Sequence, residues 1–68
     1  MPDHVIRFHI ERHGLFLTKF VLGDHLECWG PFDLAIILTY WSASNARDDA
    51  NKLPSGCRVR VSIDGVLA

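Results

Sequence analysis

The sequence is poor in most features that carry chemistry. Its two cysteines, Cys28 and Cys57, lie too far apart for a Cys-x-x-Cys pair, so neither a zinc ribbon nor a redox dithiol is indicated. Two reduced core thiols are expected, with a disulfide as the alternative. There is no glycine-rich phosphate loop, and Ser42, Ser44, Ser55 and Ser62 lack the glycine-flanked elbow of a hydrolase nucleophile. Asp48-Asp49 reads as polar helix surface. A net charge of −1 provides neither bulk attraction to phosphate nor the acidity of a DNA mimic. No apolar run is long enough to cross a bilayer and no signal peptide is evident, so a cytoplasmic location is expected.

Hydrophobic residues, by contrast, are abundant. They make up 49% of 68 residues, which excludes a disordered tail and fits one domain over residues 1–68. In Ile6, Phe8 and Ile10, alternating with Arg7, His9 and Glu11, the period is that of a strand with one buried face. Arg12-His13-Gly14 suits a three-residue hairpin loop that sets Ile10 against Phe16, Phe8 against Thr18 and Ile6 against Phe20. A two-residue loop at His13-Gly14 is disfavoured because it opposes Phe8 to Lys19. Gly23-Asp24-His25 makes a second turn, with Leu26 opposite Leu22 and Cys28 opposite Phe20.

Residues 31–53 are expected to form the one substantial helix. Gly30 or Asp33 would cap it, Pro31 suits its first turn, and Leu53-Pro54-Ser55-Gly56 ends it. Phe32, Ala35, Ile36, Thr39, Ala43, Ala46, Ala50 and Leu53 form the stripe to be buried. A last strand follows, in which Cys57, Val59, Val61 and Ile63 alternate with Arg58, Arg60 and Ser62, and Asp64-Gly65 turns. The expected fold is therefore α+β: an antiparallel-rich four-stranded sheet, β-β-β-α-β, covered on one face by one helix. If the helix returns antiparallel to the third strand, the last strand runs parallel to the first and third and sits beside either.

This arrangement leaves apolar groups over. Leu34, Ile37, Leu38 and Trp41 form a second helix patch, open to a partner unless the helix phase turns part of it into core. The sheet's open face should carry Arg7, His9, Glu11, Leu15, Leu17, Lys19, Val21, Glu27, Trp29, Arg58 and Arg60. Leu34, Ile37, Leu38, Trp41, Leu17 and Trp29 are thus the candidate partner-binding residues, for another protein or a second copy. Arg7, Lys19, Arg58 and Arg60 around Trp29 are the candidate contacts of the alternative, a nucleic-acid-binding domain, against which Glu11 and Glu27 count. His9 and His13 are four apart, which would align them for a metal on a helix but not on a strand running into a turn. No enzyme, metal or cofactor is expected, a metal-dependent enzyme being the third hypothesis.

In layout, the hairpin around Arg12-His13-Gly14, the opening Gly30-Pro31-Phe32-Asp33 and the final strand from Val59 to Gly65 resemble small phage-encoded inhibitors of the anti-CRISPR type. The resemblance implies a non-enzymatic inhibitor that covers a surface of a host effector complex, and it assigns no individual functional residue.

Overall fold

A computed structural model describes residues 3–21, 23, 26–33 and 35–68. Its elements are β1 (Ile6–Arg12), β2 (Leu15–Val21), β3 (Leu26–Gly30), α1 (Ala43–Ala50), β4 (Arg58–Ile63) and β5 (Val66–Leu67). Among the described residues the strands form one antiparallel sheet in the order β3-β2-β1-β4-β5. Among the described residues the fold is α+β with a single helix, but the sheet has five strands rather than four. The added strand is β5, which folds back through Asp64-Gly65 and pairs Val66 with Ile63.

Both tight hairpins use two-residue loops. His13 and Gly14 have φ of 54° and 79°, and Asp64 and Gly65 have 52° and 83°, the left-handed pairs that match strand twist. Glu11 therefore faces Phe16, and Arg12 faces Leu15. This corrects the expected three-residue loop, and its one-residue shift carries the first half of β2 to the other side of the sheet. Phe16 joins the face of His9 and Glu11, while Leu17 joins that of Ile10. A bulge at Thr18 then restores the phase: Leu17 pairs with Trp29, but Lys19 pairs with Cys28 and Phe20 with Glu27. Cys28 thus faces Lys19, not Phe20. The turn expected at Gly23-Asp24-His25, and the partner proposed for Leu26, Leu22, lie largely outside the described residues.

The expected long helix is confined to α1. Ser42 caps it with extended dihedrals, its Oγ accepting the Asn45 N–H at 3.1 Å. Asp33 does cap a turn, accepting the Ile36 and Ile37 N–H groups on its carbonyl and that of Ala35 on Oδ1, but the turn is not continued. Residues Ile36-Ile37-Leu38-Thr39-Tyr40-Trp41 are mostly β-branched or aromatic, types that favour extended backbone, and the helix is not resumed after the turn. They run into a gap where β1 and β2 diverge beyond the hairpin. There the Leu38 N–H donates to the Leu17 carbonyl at 3.1 Å, and Tyr40 exchanges two hydrogen bonds with Phe8 at 2.8 and 2.9 Å. This wedge satisfies backbone groups that an ordinary hairpin would pair across. It also adds one crossing of the sheet, so β4 arrives antiparallel to β1 and beside it, with Ile6 opposite Ile63 and Glu11 opposite Arg58. This corrects the expected parallel last strand.

On one face, α1 packs on β1 and β4 around Ile10, Leu17, Ala46 and Leu53, with Phe8, Phe20, Trp29, Leu38, Tyr40, Ala50, Cys57 and Val59 against them. Of the predicted helix stripe, Ala46, Ala50 and Leu53 do pack here, whereas Ala35, Ile36 and Thr39 are exposed. Both cysteines are unbonded, and neither is fully buried.

Candidate functional site

The register sorts the proposed surface residues into two groups. Arg7, His9 and Glu11 of β1 share a face with Ser62, Arg60 and Arg58, their partners on β4. Lys19, placed opposite Cys28 beyond the bulge, belongs to the same face. The four candidate cations therefore do lie on one side. Leu17 and Trp29 do not: the hairpin shift turns them to the helix side, where Leu17 is 0% exposed and Trp29 is half-buried. Trp29 is further held by its indole N–H, which donates to Glu27 Oε1 at 3.1 Å, and by the Arg12 guanidinium 4.9 Å from its ring. Leu17 is a core residue and Trp29 packs against that core, so the open sheet face expected to present them does not.

The helical patch divides as well. Ile37 is 7% exposed and Leu38 packs on the core, because the extended wedge buries side chains that a helix would have turned outward. Leu34 lies outside the described residues. Trp41 alone remains open, at 76% exposure. It does not hang free, since the Arg7 guanidinium stacks on its ring at 3.7 Å from the centroid. Such a contact is worth about 0.5–1 kcal/mol at an exposed site and orients the indole.

Electrostatics on the Arg7 face are dominated by Glu11. Its side chain is nearly buried, and Oε1 accepts both Arg58 Nε–H and, at 3.0 Å, Arg60 N–H. The hydrogen bond from Arg58, assisted by Arg60 and by the charge of both, holds its carboxyl below the usual range against the opposing effect of burial. Two of the four cations are thus paired internally. His9 lies two residues away, fully buried, with Nε2 2.7 Å from Ser62 Oγ and Nδ1 without a hydrogen-bond partner. The rings of Phe32 and Phe16 meet it edge-on, with centroids at 5.3 and 6.3 Å. His13 is exposed in the hairpin turn, on no shared face with His9. Among the described residues, no group of three His, Cys, Asp or Glu side chains is placed to hold a metal, and there is no pocket.

One surface was not anticipated. Ile6, Ile63 and Val66 are successive cross-strand neighbours on the helix side, and all three are exposed. An eight-residue α1 is only about 12 Å long against about 24 Å for β1, so it stops short of that end. The readable signal was Asp64-Gly65, a preferred hairpin pair followed by Val66-Leu67. No helix among the described residues is long and apolar enough to cross a membrane. No family model, curated protein or solved structure matches the chain.

Proposed function

We propose that this chain is a non-enzymatic protein-binding module whose contact surface centres on Trp41 and Arg7. The observation that supports this reading is Trp41 itself: a large aromatic ring, 76% exposed and fixed by a guanidinium rather than free to collapse onto its own core. Trp and Arg are the residue types that most often carry interface energy, because they present large, preorganised contact area. The most concrete version is the phage-type inhibitor that occludes a surface of a host CRISPR effector complex, in keeping with the layout of the chain.

Affinity capture from the native host, run side by side with the unmodified chain and Trp41→Ala, tests the reading. A protein bound by the first and held about tenfold or more weakly by the second is expected. Equal capture by both, with Trp41→Ala still folded, would discard the Trp41 surface. Sedimentation at rising concentration reports whether the captured partner is a second copy.

A nucleic-acid contact is the second reading, favoured by Arg7, Lys19, Arg58 and Arg60 sharing a face. Glu11 weakens it by engaging Arg58 and Arg60. Binding to random oligonucleotides that falls steeply with ionic strength would transfer preference to it.

A further inference from the structure

His9 occupies a position that favours its neutral ring. A neutral imidazole needs one donor contact and one acceptor contact, whereas the protonated ring is a donor at both nitrogens. Ser62 Oγ serves Nε2, while Nδ1 makes no hydrogen bond of good geometry and the Leu38 backbone compensates the ring only in part. The charged groups around it offer no relief. Arg60 lies directly opposite on β4, with Arg58 beyond it; Arg7 and Glu11 flank His9 on β1, and Lys19 shares the face from β2. Glu11, the one carboxylate on the sheet here, already holds two guanidinium groups. Asp33, the acid of the overlying segment, is exposed and bonded within its own turn. Burial accordingly lowers the pKa of His9, opposed in part by the Leu38 backbone.

What covers His9 is only lightly attached. Phe32 touches His9 and Phe16, and its ring is 5.2 Å from that of Phe16. The hydrogen bonds made by Asp33, Ala35, Ile36 and Ile37 stay within their own turn, and among the described residues the first backbone bond from this segment to the sheet comes at Leu38. Lifting Phe32 therefore breaks no described hydrogen bond and removes one of the two aromatic rings packed against His9.

We propose that His9 and Phe32 form an acid-operated latch: protonation of His9 releases the Phe32 segment and uncovers the Phe16–His9 face, leaving the sheet intact. The direction follows from linkage. A histidine whose folded pKa lies below its unfolded value keeps the closed form fully stable above about 6.5, and the closed form loses stability as pH falls below that.

Amide exchange by NMR on the full chain, at about pH 7.5 and about pH 5 with intrinsic rates corrected, tests the latch. Protection at Ala35, Ile36 and Ile37 should fall by up to about tenfold per pH unit over the window in which His9 titrates. Protection at Val59 and Arg60 should persist, and His9→Leu should abolish the pH dependence. Parallel loss of protection in β4 would mean global unfolding and overturn the proposal, as would an unchanged pH dependence in His9→Leu. Should that variant not fold, the unmodified chain decides: His9 ring signals and the Phe32-segment amides must share one midpoint, and separate midpoints overturn the latch.

Discussion

The two faces of this sheet are built on different principles. The helix side is dry and made of interlocking apolar groups, with Ile10, Leu17 and Ala46 fully enclosed. The other side buries His9, Glu11 and Ser62, polar groups whose position depends on specific partners and on one aromatic cover. Packing on the first face depends on volume and should be indifferent to pH. The second depends on charge state and should not be.

The largest effect is expected where the dry face is hollowed out. Leu17→Ala should cost about 2–5 kcal/mol, measured by urea denaturation, enough to leave so small a domain largely unfolded. A cost below 1 kcal/mol would return Leu17 to the surface. Next comes the polar face: Glu11→Ala should cost about 1–3 kcal/mol by the same measurement at neutral pH. Because its folded pKa is depressed, the contribution of Glu11 is complete above its ordinary value of about 4.5 and disappears as pH falls through the folded pKa. The gap between Glu11→Ala and the unmodified chain should therefore narrow in acid, whereas the gap for Leu17→Ala should not.

A smaller effect probes the bulge that reconciles the two faces. Deleting Thr18 leaves Leu17, Lys19 and Phe20 in plain alternation against Trp29, Cys28 and Glu27, so the faces are preserved. The loss should be about 1 kcal/mol, the bond from Thr18 Oγ1 to the Cys28 carbonyl, with unchanged circular dichroism. Collapse of the fold would show that the bulge is needed for more than phase. The smallest change is expected for Trp41→Ala, within about 0.5–1 kcal/mol in stability, since the ring is largely exposed and its contact with Arg7 is of that size. Loss of the fold would make Trp41 a structural residue and remove it from the binding surface.

The sequence was legible wherever one period ruled. The alternation in β1 and β4 placed Ile10, Val59, Glu11 and Arg58 on their correct faces, and the strand positions of β2 and β3 followed from composition. It failed where two signals competed. Residues 36–41 carry apolar groups at helical spacing, yet their β-branched and aromatic types favour extension, and backbone left unpaired between β1 and β2 decided the outcome. In β2, strict alternation from either end gives the wrong face for half the strand, because Thr18 is the odd residue out. Of the proposed surface, Trp41 and the four cations kept their exposure or their face. Leu17, Trp29, Ile37 and Leu38 were lost to the interior by a single residue of register and by the missing helix.

The insertion of residues 38–40 between the first two strands also constrains how the chain can be made. A hairpin that zipped fully shut on leaving the ribosome would occupy the place that Leu38 and Tyr40 must take, and β1 finds its longest partner only when Arg58–Ile63 has been synthesised. Assembly must therefore wait for distant parts of the polypeptide to meet, which predicts slow, late and concerted acquisition of structure for so small a protein.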